Sequence, residues 1–139
     1  METEISNIPG KMRTTWREDV KAVVDTWETY LVTLEEFKQA VLVKGVDYAK
    51  TNGGVAWIVD SSAAKGVFTP QIQEFIGSDV FPMFAKIGVK YFITISSKVS
   101  NLTNLTVNQY AAKTGPCGLQ LIELNSVTDA ITWLKFHAK

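Results

Sequence analysis

The chain has 139 residues, of which 46% are hydrophobic and 11% aromatic, so it can fold around a core of its own. Its 14 basic side chains balance its 14 acidic ones, and no block of like charge stands out. This balance argues against a nucleic-acid-binding protein, which needs a basic face for phosphate contacts, and against attraction to an anionic membrane surface.

The sequence shows no sign of export or membrane insertion. Residues 1–11 are polar, carry Glu2 and Glu4, and lack the basic start and apolar run of a secretory signal. No stretch approaches the roughly 20 apolar residues of a membrane-spanning helix. Because Cys117 is the only cysteine, an internal disulfide cannot form, which suits a reducing compartment. We therefore expect a cytoplasmic protein, with a polar lead-in over residues 1–11 and one domain over residues 12–139.

The domain begins with two predicted strands, residues 12–16 and 20–27, joined by a polar turn. In the second strand, alternate side chains belong to opposite faces: Ala22, Val24 and Thr26 on one, Val23, Asp25 and Trp27 on the other. Such alternation is typical of strands near the edge of a sheet, so we expect the first strand to be an antiparallel edge strand.

A first helix is predicted from Thr33 to Asn52. The Thr33 hydroxyl and the Glu36 carboxylate form a capping-box sequence at its start, and the two glycines after Asn52 are typical of a helix end. Residues 55–59 then form a continuous apolar run, as in a central strand that is covered on both faces.

A second helix is predicted from Thr69 to Gly88, because threonine before proline is a favourable helix start. Its apolar stripe has helical spacing and consists of Ile72, Ile76, Val80, Met83 and Ile87. Pro82 lies inside this helix, so we expect a kink or a break at residues 77–81.

The rest of the chain repeats the pattern of strand and helix. Residues 89–95 and 119–124 are predicted strands, and 102–112 is a helix in which Leu102, Leu105, Val107 and Tyr110 are loosely periodic. A final helix begins at the capping sequence 126–129, and its tail is expected to fray over 136–139. The order β-β-α-β-α-β-α-β-α predicts an α/β domain with a mixed, mostly parallel five-stranded sheet and about four helices.

Several local sequences, in their order along the chain, resemble the SpoIIAA-like or STAS superfamily (sulfate transporter and anti-sigma-factor antagonist). The similarity is greatest to its small stand-alone bacterial members of the STAS/SEC14 type. The segments that carry the resemblance are TLEEF at 33–37, WIVD at 57–60, VFTP at 67–70, FP at 81–82 with GVK at 88–90, and AITWL at 130–134. The resemblance implies a SpoIIAA-like fold and a role in bacterial signalling through protein–protein interaction.

In signalling members of this superfamily, a partner kinase phosphorylates a serine in an Asp-Ser-Ser-Gly-like segment that enters the second helix. Here the matching segment is Asp60-Ser61-Ser62, with alanine in place of the glycine and a longer loop before Thr69. The resemblance therefore implies a phosphorylation or ligand loop formed by Asp60, Ser61, Ser62 and Thr69.

The residues themselves point to the same loop, because open α/β sheets bind ligands at the carboxyl ends of their strands. Ser96 and Ser97 end the neighbouring strand, so we expect the two loops to face one another across a shallow polar cleft. Lys65 and Lys98 would be available there for an anion. The alternative is that these residues are ordinary turn formers.

An aromatic cluster on the second helix is open to two interpretations. Phe75, Phe81, Met83 and Phe84 either form an exposed surface for a partner or ligand, or belong to the core, since the helical stripe accounts for most of them.

No catalytic constellation is predicted. His137 is the only histidine and lies in the expected frayed tail, while Cys117, between Pro116 and Gly118, has only Lys113 near it in sequence and no evident base. We expect no enzyme activity, no metal and no cofactor.

Two functions remain open from the sequence. The first is a non-enzymatic regulatory domain that docks a partner protein, or a second copy in a homodimer, through the second helix and the loop before it. The alternative is a carrier of a small apolar or lipid-like ligand between the second helix and the sheet, which requires an apolar pocket of several hundred Å³.

Overall fold

A computed structural model describes residues 2–112, 114 and 117–137, and shows an α/β fold with a mixed sheet. The strands are β1 (Glu2–Ile8), β2 (Met12–Arg17), β3 (Ala22–Trp27), β4 (Ala56–Asp60), β5 (Tyr91–Ile95) and β6 (Gln120–Leu124). Helix α1 runs over Leu34–Phe37, Lys38–Gly45 and Val46–Asn52, and α2 over Pro70–Phe75, Ile76–Val80 and Phe81–Ile87. Helices α3 (Asn101–Ala111) and α4 (Val127–His137) complete the order.

The sheet has six strands rather than the predicted five, in the order β1-β2-β3-β4-β5-β6. The extra strand is β1, formed by residues that we expected to be a polar lead-in. It pairs antiparallel with β2, so β2 is not the edge strand. Its glutamates and a bulge between Glu4 and Ser6 suit an exposed edge strand. Because the segment is so polar, its sequence lacks the apolar alternation by which a strand is recognised.

Strands β3 to β6 are parallel, and each connection moves one strand further in the same direction. Crossovers of one hand therefore place α1, α2 and α3 on the same face, where Phe37, Ile72 and Tyr110 belong to one core cluster. The opposite face packs against α4 through Ile131 and Leu134. Helices thus lie on both faces of the sheet, as predicted.

Helix α1 begins with the capping box expected from the sequence. The Glu36 amide donates to the Thr33 hydroxyl at 3.0 Å, and the Thr33 amide donates to the Glu36 carboxylate at 2.9 Å. Its middle segment, Lys38–Gly45, is a π-helix, which the sequence did not predict. A Cβ on Gly45 would lie 2.8 Å from the Trp57 ring, so glycine lets α1 approach the sheet closely.

The predicted break in α2 is instead a π-helical segment, Ile76–Val80, inside a helix that continues to Ile87. The Phe81 amide donates to the Ile76 carbonyl, five residues back. Pro82 has no N–H to donate, and the wider π turn adapts the helix to this loss.

The expected frayed tail is wrong for residues 136 and 137, which belong to α4. The His137 ring stacks on Trp133 with 4.3 Å between ring centroids. The rest of that tail, residues 138 and 139, lies outside the described residues, as do Lys113, Gly115 and Pro116 close to Cys117 in the sequence. Among the described helices, none is both long and apolar enough to cross a membrane.

Candidate functional site

The loops that follow β4 and β5 meet at one end of the sheet, as the sequence predicted. The Ser61 amide donates to the Ile95 carbonyl at 3.1 Å, and the Lys98 amide donates to the Ser62 carbonyl at 2.9 Å. The Ser97 hydroxyl donates to the Ala64 carbonyl at 2.8 Å. These contacts join the two loops directly, so the expected cleft between them is largely closed.

Two of the predicted site serines are structural. Ser61 is 0% exposed and its hydroxyl forms a short hydrogen bond with the Tyr30 hydroxyl. The buried Ser97 hydroxyl accepts from the Val99 and Ser100 amides at 3.2 and 3.0 Å. Neither hydroxyl reaches the surface of the described structure.

The other predicted loop residues remain accessible. Thr69, Lys65, Ser96 and Lys98 are exposed, and Asp60 and Ser62 are half-buried. The Thr69 hydroxyl caps α2 by accepting from the Ile72 amide at 3.2 Å, and Asp60 accepts from the Ser62 amide at 3.0 Å. Thr69 is therefore the exposed hydroxyl of the implied phosphorylation loop.

Four large apolar side chains border these loops and are each more than half exposed: Leu31, Val99, Leu102 and Leu105. We call these four residues the strand-end rim. Leu31 covers Gly66, where an added Cβ would lie 2.9 Å from the leucine Cγ. The Thr103 hydroxyl, next to Leu102, donates to the Gly66 carbonyl at 2.6 Å. All four rim residues lie at the carboxyl end of the parallel strands, because Leu31 follows β3, while Val99 and the first turns of α3 follow β5.

Sequence reasoning missed the rim because it placed Leu102 and Leu105 in the periodic stripe of α3. The buried positions of α3 are instead Thr103, Thr106, Val107, Tyr110 and Ala111. Thr103 and Thr106 each directly follow one of these leucines in the sequence. Because threonine carries a polar hydroxyl, these positions are hard to recognise as buried from the sequence alone.

The aromatic cluster of α2, for which the sequence left both a surface and a core role open, is half buried in the core. Phe81 and Phe84 are buried, while Phe75 and Met83 are half-buried. Phe75 lies edge-on to Phe37 with 6.3 Å between centroids, and Met83 lines an open groove of about 540 Å³ between α1 and α2. The core interpretation is thus correct for two of the four residues.

The carboxyl group of Asp25 is buried beneath the layer formed by α1, α2 and α3. Asp25 shares this face of β3 with Val23 and Trp27, as the predicted alternation indicates. Its side chain accepts from Thr14 Oγ1 at 2.8 Å and from Trp57 Nε1 at 2.7 Å. Burial raises the pKa of Asp25 to about 6, and the hydrogen bonds from Trp57 and Thr14 oppose this rise. Sequence reasoning read this strand as near an edge and so did not single out Asp25.

Asp25 faces a cavity of about 20 Å³ between the helices and the sheet, which is room for one water molecule. The cavity is far smaller than the several hundred Å³ expected of a ligand carrier. Its other lining residues are apolar or aromatic: Trp27, Phe37, Val41, Trp57, Val59, Phe68, Ile76, Val80, Phe81, Phe84, Phe92 and Tyr110. Val41, Ile76 and Val80 come from the two π-helical segments, which form its roof.

Two tyrosines connect the cavity wall with the strand-end loop. The Tyr110 hydroxyl lies 3.2 Å from the Tyr30 hydroxyl, which in turn bonds to Ser61. Burial raises the pKa of Tyr30 to about 12 and also raises the pKa of Tyr110, so both phenols stay neutral. A continuous chain of hydroxyls thus runs from the core to the loop.

Within the described residues, no three His, Cys, Asp or Glu side chains are grouped so that they could hold a metal ion. Cys117 is a free, half-buried thiol. Comparison of the chain with family models, with curated proteins and with solved structures found no match.

Proposed function

We propose that the protein is a non-enzymatic regulatory domain that docks a partner protein on the strand-end rim. The observation that carries this proposal is the exposure of four large apolar side chains at the carboxyl end of the parallel strands. Exposed apolar groups that cluster on one surface are typical of interaction sites. The SpoIIAA-like assignment stays a prediction, and its expected docking region, the loop before the second helix, adjoins the rim.

The lysine side chains beside the rim indicate that the partner carries acidic groups. Lys65 and Lys98 are exposed beside the rim and form no ion pair within the described part of the chain. A partner segment with apolar side chains flanked by carboxylates would complement this surface. A second copy of the chain is the other candidate occupant.

Phosphorylation of Thr69 would regulate this docking. A phosphate adds a charge of roughly −1.5 to −2 at the amino end of α2, in the same loop as Lys65. Negative charge at a helix amino end is favourable, so the modification need not unfold α2. Ser61 is excluded from this role by its complete burial.

Native mass spectrometry of protein purified from its own organism tests the proposal. We expect the wild type to retain a stoichiometric partner, which the double variant Leu102→Ser, Leu105→Ser loses. Val43→Ser is the matched control, because Val43 is also about half exposed but lies on α1. A partner retained equally by both variants, or a bare monomer in every sample, would refute docking at the rim.

The carrier function is a second candidate, favoured by the aromatic cavity under the two π-helical segments. It requires α1 and α2 to move away from the sheet, because the cavity holds only about one water molecule. A retained apolar ligand in the same mass spectra would support it.

A further inference from the structure

Asp25 has no part in the proposed docking, yet it is the one buried carboxyl group among the described residues. The residue is only 1% exposed. Its surroundings come from the two neighbouring strands and from the three helices that cover this face of the sheet. These residues are Thr14 of β2, Trp57 and Val59 of β4, Phe37 and Val41 of α1, Ile76 and Val80 of α2, and Tyr110 of α3. Of these neighbours only Tyr110 titrates, with Tyr30 behind it, and no lysine, arginine or histidine among the described residues lines the cavity. Within the described part of the chain, the carboxylate therefore has no counter-ion.

The hydrogen bonds around Asp25 can satisfy both of its protonation states. Trp57 Nε1 donates to one carboxyl oxygen, and the Thr14 hydroxyl donates to the other. When Asp25 is neutral, its own proton can be donated to Thr14 Oγ1, because a hydroxyl both donates and accepts. The Thr14 proton then turns to Met12 Sδ, 3.6 Å away. The site can take up or release one proton without leaving a polar atom unpaired.

The roof above Asp25 is the part of the helical layer best suited to open. It includes the π-helical segments Lys38–Gly45 and Ile76–Val80. Such segments have irregular hydrogen bonding and are frequent at functional sites. An ionised carboxylate facing aromatic rings is poorly solvated, and it gains water only if this roof moves.

We propose that ionisation of Asp25 loosens α1 and α2 from the sheet at their π-helical segments, so that pH controls access to the aromatic cavity. The neutral carboxyl keeps the layer closed. The released proton passes to water, and the charged group draws solvent into the cavity. Burial raises the pKa of Asp25 to about 6, so the carboxyl group is mostly neutral below this pH and mostly ionised above it.

Amide hydrogen exchange between pH 4 and pH 7.5, corrected for the intrinsic pH dependence, tests this inference. An open state in which Asp25 is solvated has a pKa near 4. The opening constant of the π-segment amides should therefore rise by up to about 100-fold, at close to tenfold per pH unit between pH 4 and pH 6, and level off above pH 6. In Asp25→Asn it should stay constant, while the exposed control Asp47→Asn should keep the wild-type profile.

Two results would overturn the inference. One is an equal pH dependence in wild type and Asp25→Asn. The other is an identical opening constant for the π segments and for the central strands β4 and β5 at every pH, which means global unfolding. Thr14→Val is an independent variant if Asp25→Asn does not fold. The Thr14 hydrogen bond lowers the pKa of Asp25, so without it the rise in the opening constant should extend to higher pH and become larger.

Discussion

Trp57 Nε1 donates a hydrogen bond of 2.7 Å to the Asp25 carboxyl group, across the neighbouring parallel strands β3 and β4. This contact fixes an indole ring and a buried acid beneath the same helical layer. The Trp57 ring also lies against Gly45, where α1 approaches the sheet closely, so this ring connects α1 with Asp25. The core is therefore sensitive to pH in a way that its mostly apolar composition does not suggest.

Replacing Asp25 with asparagine should change how stability depends on pH. The folded pKa of about 6 lies above the unfolded value of about 3.9, so the contribution of Asp25 to stability is fully present below pH 4 and is lost as the pH rises through about 6. The loss is about 3 kcal/mol, from roughly two pKa units at 1.36 kcal/mol each. Asp25→Asn should lack this loss and exceed the wild-type stability at pH 7. Urea unfolding at pH 4, 5, 6 and 7 measures the free energy of unfolding of the two proteins at each pH. If this free energy changed with pH by the same amount in wild type and Asp25→Asn, the prediction would be wrong.

Removing the hydroxyl of Tyr30 should destabilise the fold. Tyr30→Phe leaves the buried hydroxyls of Ser61 and Tyr110 without this partner, at a cost of about 1–3 kcal/mol. Tyr91→Phe is the control, because Tyr91 is half-buried and packs through its ring on Trp133. Chemical unfolding at pH 7 should show a loss for the first variant alone.

Replacing Gly45 with alanine should push α1 away from the sheet. The new Cβ would lie 2.8 Å from the Trp57 ring, and such overpacking typically costs about 1–3 kcal/mol. The neighbouring exposed residue gives the control Lys44→Ala, with an expected change within about 0.5 kcal/mol. Thermal unfolding and tryptophan fluorescence measure the effect, and an unchanged melting temperature in Gly45→Ala would contradict the close contact.

The leucines of the strand-end rim should contribute little to stability. Because both side chains are more than half exposed, Leu102→Ser and Leu105→Ser should each change the free energy of unfolding by about 0.5 kcal/mol or less. Denaturant titration checks this. A loss of several kcal/mol would mean that these leucines belong to the core.

Much of the fold could be predicted from local signals. The capping box at Thr33 and Glu36 and the threonine–proline start of α2 define the helix starts, and the apolar runs indicate β4 and β5. Strand β1 escaped prediction because a polar edge strand needs little apolar alternation. The π-helical segments also escaped, since they arise from packing over Trp57 and from Pro82 rather than from periodicity.

The candidate site could be predicted only in part. The meeting of the loops after β4 and β5 follows from parallel strand order, and the structure has that contact. Whether Ser61 points to solvent or to Tyr30 depends on a tyrosine 31 residues away, which no local pattern reveals. Asp25 was placed on the same strand face as Val23 and Trp27, but without β1 the strand was interpreted as lying near the edge of the sheet.

Photo-crosslinking in cells tests docking at the strand-end rim most directly. A photoreactive phenylalanine analogue would replace Leu102, with an exposed α4 position, Thr132, as the control. We predict a discrete crosslinked protein at Leu102 that is absent at Thr132 and is lost when Leu31 and Leu105 are replaced by serine. Equal crosslinking at both positions, or none at Leu102, would contradict the account.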